Sequence, residues 1–444
     1  MDLTDCRGVP VSTRNRASLD RYEAAVELLH GYYGDPLAAI DQALTEDPAF
    51  VMGHCLRAAL MITTTDRNAE IALRQSFDNA TALLNIANDR ERRHISAARA
   101  WLDGDFAGSI QRYGEIVIEY PRDSLALQVA HIGDFYLGQS TMLRDRVAQV
   151  LPEWGVNVPG MGYVLGMHAF GLEETHSYRR AEDTAQCALN LNPRDPWAIH
   201  AAAHVMEMEG RLVEGVKWLT TRSGDWAVDN AFAFHNWWHL ALFHLDLGEL
   251  DRVLEIYDRG IRPKSSDVLL EMVDASAMLW RLQLRDVDVG DRWKELAKAW
   301  QPTVEQGYYV FNDMHAVMAL ASSGGFDREI AQLWETLRRR ATGHDTNAKM
   351  IREVGLSACR AMLAFVQGEY AKSTELLLPI LPIAQRFGGS HAQRDVLHLT
   401  AVEAALRSNQ GRLARALVAQ RTDLKPTNPF NGILAVRVQK ARVQ

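Results

Sequence analysis

A chain of 444 residues with 47% hydrophobic, 23% charged and 8% aromatic side chains, 30 glycines and 14 prolines has an ordinary globular make-up, which excludes collagen-like and disordered classes. Its formal charge of −8 speaks against a nucleic-acid partner, whose phosphates demand a basic face. No stretch approaches the ~18 consecutive apolar residues of a spanning helix, so no membrane partner is expected. The opening residues, Met1-Asp-Leu-Thr-Asp-Cys6, carry acidic groups and lack the apolar core of a secretory signal. Cys6, Cys55, Cys187 and Cys359 stand far apart with no C-x-x-C pair. They are expected as buried, reduced thiols in a cytoplasmic protein.

From residue 20 the chain reads as helices joined by short turns. Residues 20–89 are expected to form degenerate helix–turn–helix units, 90–261 the best-formed ones and 262–425 degenerate ones again, within a single α-solenoid domain over 1–444. Gly104-Asp105 and Gly138-Gln139 mark turns 34 residues apart, and Gly162 and Pro196, also 34 apart, open two successive units. Gly210-Arg211 and Gly248-Glu249 are 38 apart, and Gly368-Glu369 and Gly411-Arg412 are 43 apart. Between the markers apolar residues recur at helical spacing, as in Ala241, Phe243 and Leu245 before Gly248 and Val253, Ile256 and Tyr257 after it. Pro48, Pro121 and Pro193 close units, because proline cannot continue a helix. Strand signals are nearly absent. A unit of this period cannot bury its own apolar face and must stack on its neighbours. The expected fold is all-α: a right-handed superhelix of paired helices with essentially no sheet.

The segment Pro193-Arg-Asp-Pro-Trp197-Ala-Ile-His200-Ala-Ala-Ala203 through Gly210-Arg211-Leu-Val-Glu214 resembles the tetratricopeptide repeat, as does Ala185-Gln-Cys-Ala188-Leu-Asn-Leu-Asn-Pro193 before it. Two central runs, His200-Ala-Ala-Ala-His204-Val-Met-Glu207 and His235-Asn-Trp237-Trp238-His239-Leu-Ala-Leu-Phe, are similar more narrowly to tetratricopeptide repeat protein 38 and its bacterial relatives. Gly389-Ser-His391-Ala-Gln393-Arg394-Asp395 adds to that likeness. The repeat resemblance implies that the first helix of each unit lines a concave face. It brings no settled biochemical activity with it.

With that geometry laid on this sequence, the inward positions are Glu91, His94, Ala98 and Trp101; Tyr163, Phe170 and Glu173; Trp197, His200, His204 and Glu207; and His235, Trp238 and Leu242. Aromatic walls around a few convergent polar groups suit a small organic ligand. The expected ligand contacts are His200, Trp238, His239, His94, Trp101, Tyr163, Trp197, Arg394 and His391. The expected acid–base residues are His204, Glu207 and His235, with Glu207 fixing an imidazole tautomer.

At 100° per residue His200, His204 and Glu207 fall on one narrow stripe, and His235 and His239 form a second i, i+4 pair. Two facing pairs would supply four ligands to a divalent metal such as zinc or iron, so His200, His204, His235 and His239 are the metal candidates. Neither H-E-x-x-H nor a cysteine cluster is present. Asp313 is expected to cap a helix. The run from Ser390 to Asp395 reads as a capping turn in which Arg394 or His391 faces a ligand. His54, His131, His168 and His244 read as packing or capping residues, and Trp237 as packing between repeats. Against the ligand reading stands a scaffold that binds a peptide in the groove, the common use of this repeat.

Overall fold

Helix starts follow the sequence closely. Asn88 accepts from Glu91 N while the Glu91 carboxylate takes Asn88 N, a reciprocal cap for the helix Asp89–Leu102. Asp105 and Asp123 cap Phe106–Glu119 and Ser124–Tyr136. Asp195, followed by proline at the first helical position, accepts from Trp197 N and Ala198 N and so opens Pro196–Met208. Each such cap contributes ~1 kcal/mol. The computed structural model describes residues 3–440, and helices make up about three quarters of it. The chain is all-α, a series of tetratricopeptide-like helical hairpins.

The glycine markers do their expected work. Gly104, Gly138, Gly210, Gly248 and Gly368 carry φ between 64° and 80°, the left-handed region that turns one helix back on the next. Gly162 and Pro196 stand at the starts of Met161–Glu174 and Pro196–Met208. In other hairpins His176, Asp286 and Asn409 take the same conformation without glycine. Helix approach is close enough to need small residues. A Cβ on Gly171 would lie 2.4 Å from backbone atoms of Leu143 and Arg144 in the neighbouring helix.

Two compact units make up the chain: residues up to Ala202 with Val228–Phe232, and Ala203–Ala227 with everything from Ala233 on. In the first unit the helix Ser124–Tyr136 is buried at every residue but Phe135. Each of Leu125, Leu127 and Val129 removes enough apolar surface from water to contribute ~1.5–3 kcal/mol. One two-stranded sheet of four residues accompanies the helices. Strands β1 (Leu3–Thr4) and β2 (Pro10–Val11) pair antiparallel across a turn at Gly8, φ 82°. Docking holds them: Val9 and Val11 are buried, and the Pro10 carbonyl accepts from Asn88 Nδ2 at 3.3 Å and Arg90 Nη1 at 3.2 Å.

The thiol expectation holds for Cys55 and Cys359 alone, since Cys6 and Cys187 are exposed on outward-facing positions. Asp313 does not cap its helix, Val310–Ser323, whose N-cap is Tyr309; Asp313 sits one turn in and is buried. No helix among the described residues is long and apolar enough to cross a membrane.

Candidate functional site

In the second unit, histidines from two helices converge. The helix Pro196–Met208 brings His204 and Glu207; the helix Ala233–Leu247 brings His235, Trp238 and His239. The i, i+4 spacing of His235 and His239 stacks them one turn apart, and their ring centroids are 4.9 Å apart. His204 meets His239 at 4.3 Å. Every one of the three imidazoles offers a nitrogen within 4.8 Å of those offered by the other two. All three are buried, His235 retaining most exposure at 8%. They form an interior seam between first helices rather than the wall of an open groove, because both helices are covered on nearly every side.

Carboxylates stand behind two of the rings. His235 Nδ1 donates to Asp274 Oδ2 at 2.6 Å, which leaves Nε2 as the lone-pair nitrogen. Asp274 comes from the helix Leu269–Gln283 and also receives Gln393 Nε2 at 3.5 Å. Glu207 Oε2 lies 3.6 Å from His239 Nδ1. Burial lowers the His239 pKa to about 4, against the pull of Glu207, so the ring is neutral at physiological pH. Trp238 stacks on His235 at 5.4 Å with planes 12° apart.

Glu207 has a further partner the expected scheme lacks. Lys425 Nζ donates to its Oε1 at 2.7 Å, both side chains being buried. Burial alone would raise the Glu207 pKa, but Lys425 and His239 together outweigh it and hold the carboxyl well below its ordinary range. Burial likewise works against the Lys425 charge, and the Glu207 and Asp395 carboxylates overcome it. Residues 425–428 form a strap here. Thr427 Oγ1 donates to the Glu209 carbonyl at 2.7 Å, and Asn428 Nδ2 to Asp246 at 2.5 Å. The strap runs so close to the end of the His204 helix that a Cβ on Gly210 would meet Thr427 Oγ1 at 2.1 Å.

His391 joins the seam, its ring 5.3 Å from His204. It opens the helix His391–Arg407 behind a reciprocal Ser390–Gln393 cap, as the capping reading expects. Arg394 donates to the Gly389 carbonyl and so helps close that turn. The other expected contacts belong to the first unit. His94 bonds Asp123 at 2.8 Å beside Arg90, Trp101 stacks on Phe106 at 4.2 Å, and Tyr163 donates to Glu27 at 2.7 Å. Trp197 and His200 pack into an aromatic cluster with Phe170 and Phe232, every one of these ring pairs being 5.1–5.2 Å apart. His200 keeps the helical phase of His204, one turn earlier. Trp237 packs on Trp226 at 4.9 Å.

No sequence pattern points to Asp274, Arg281 or Lys425. Asp274 and Arg281 lie in a stretch with weak repeat marks, and Lys425 is 218 residues from Glu207, so no local spacing points to any of them.

No family model matches the chain. Among solved structures it is similar to the crystal structure of yeast Tom70, at 12% identity over 97% of each chain with a TM-score of 0.34. It is also similar to the structure of Naa15/Naa10 bound to HypK-THB, at 12% identity over 95% of this chain and 66% of that one, TM-score 0.25. At these scores neither likeness bears on function.

Proposed function

We propose that His204, His235 and His239 hold one divalent transition-metal ion, zinc or iron, and that the chain uses it on a small organic molecule. The observation that carries this reading is the meeting of three buried imidazoles with ligating nitrogens inside 4.8 Å. A metal ligand must be neutral, and burial already keeps His239 so. Ligating histidines commonly donate their other nitrogen to a carboxylate, which orients the ring and raises its basicity; the His235–Asp274 bond has that form. In this reading Glu207 orients and His204 ligates, in place of a Glu207-assisted acid–base role for His204. The two central runs support kinship with tetratricopeptide repeat protein 38.

Elemental analysis of the purified chain, followed by zinc titration of chelator-treated protein, tests the proposal. About one ion per chain is expected, with affinity falling ~100-fold or more in His204→Ala and His239→Ala. A chelator-treated protein that takes up neither zinc, iron(II) nor cobalt(II), or variants that bind as the parent does, would overturn it.

A further inference from the structure

Beside the three histidines lies a buried cation with no carboxylate at ion-pair distance, those of Asp395, Glu207 and Asp246 acting on it from further off. Arg281 is 2% exposed and donates to two carbonyls, Ala277 at 3.0 Å and Ala392 at 2.7 Å. Among the described residues it forms no ion pair within 4.0 Å. A buried charge without a close counter-charge is costly, and desolvation lowers the Arg281 pKa accordingly. Its guanidinium stands 5.1 Å from the ring centroid of Trp238, the side chain that stacks on His235. Trp238 is itself fully buried, and its indole Nε1 has no hydrogen-bond partner. Buried donors in native proteins are nearly always satisfied, so this orphaned N–H is one that a bound acceptor would complete. Trp238 thus carries a cation over its ring and an unpartnered donor at its edge, and it stacks on a proposed metal ligand.

We propose that Arg281 and Trp238 form the recognition subsite for the carboxylate group of a small organic acid, which the metal centre then acts upon. The inference rests on the metal reading for the reaction but not for the binding. A guanidinium matches a carboxylate in plane and charge, and the indole N–H supplies a further hydrogen bond. A single negative charge fits better than the two of a phosphate. Glu207, Asp274 and Asp395 already populate the neighbourhood, and each repels a dianion.

Calorimetric titration of the full chain, zinc-loaded and chelator-treated, with acetate and benzoate as probes and inorganic phosphate as the control, tests the subsite. Trp238→Phe removes the donor and keeps the ring; Arg281→Lys keeps the charge and removes the fork. Both are checked for folding by circular dichroism and for zinc affinity. Carboxylate binding is expected to weaken ~10-fold or more in each variant while zinc affinity stays within ~3-fold, with phosphate at least ~10-fold weaker than either acid. Should zinc fail to bind, carboxylate binding that both variants abolish still upholds the subsite and sinks only the metal reading. Folded variants that bind carboxylates as the parent does, a preference for phosphate, or zinc-loaded protein that binds neither acid, would overturn it.

Discussion

Replacing Glu207 by glutamine removes one charge from a buried pair and leaves the other in place. Lys425 would then keep its ammonium inside the second unit, with its 2.7 Å partner gone. Breaking a buried pair in this way typically costs 3–5 kcal/mol, mostly the penalty of the stranded ion. Asp395 is close enough to Lys425 to recover part of that, so the lower end, ~3 kcal/mol, is expected. For a unit of this size each kcal/mol shifts the midpoint by ~2–4 °C, so Tm should fall by roughly 6–12 °C. The double variant Glu207→Gln/Lys425→Met should regain most of the loss, because an apolar side chain of similar volume has no charge to strand. Urea and thermal unfolding of parent, both single variants and the double variant complete the cycle. A single-variant loss under ~1 kcal/mol, or a double variant no better than Glu207→Gln, refutes the reasoning. The sign in pH is fixed as well. Glu207 has a depressed folded pKa, so its contribution is present above the ordinary value of 4.5 and drains away as pH falls towards the folded value.

Asp313 works in the opposite direction. Burial raises its pKa to about 7, so the native state favours the protonated acid, and stability should fall as pH rises from ~4 to 7, by up to ~4 kcal/mol at ~1.4 kcal/mol per unit. Asp313→Asn should match the parent at pH 4 and exceed it by ~2–4 kcal/mol at pH 8 in urea midpoints; equal midpoints at both pH values would disprove the burial argument. Gly171→Ala should cost ~3 kcal/mol or more, since its methyl meets backbone that cannot swing aside, and a stability within ~1 kcal/mol of the parent would contradict that close approach.

The repeat was legible because its punctuation is local. Gly104, Gly138, Gly210, Gly248 and Gly368 need a left-handed turn, and only the residue type has to be read. His176, Asp286 and Asn409 make the same turn at a small steric cost, so their hairpins carried no mark. Helical phase likewise brought His235 and His239 onto one face, and adjacency in the chain set His204 beside Glu207. The partners that decide their chemistry come from far away: Asp274 is 39 residues beyond His235, and Lys425 is 218 beyond Glu207. Burial was the other illegible quantity. A stripe of His, Trp and Glu reads as a groove wall, and only packing turns it into an interior seam. The paired strands at residues 3–11 had no pattern to announce them, because docking onto Asn88 and Arg90 stabilises them rather than β propensity.

The strap at 425–428 ties the seam to the order in which the chain is made. Glu207 leaves the ribosome 218 residues before Lys425 does, an interval of roughly 10–40 s at ~5–20 residues per second. Throughout that time the carboxylate has no Lys425 to offset its burial, so closing the His204 helix over it favours the protonated acid. The buried ion pair beside the histidines is thus completed late, and a ribosome stalled before residue 425 would carry a second unit that lacks it.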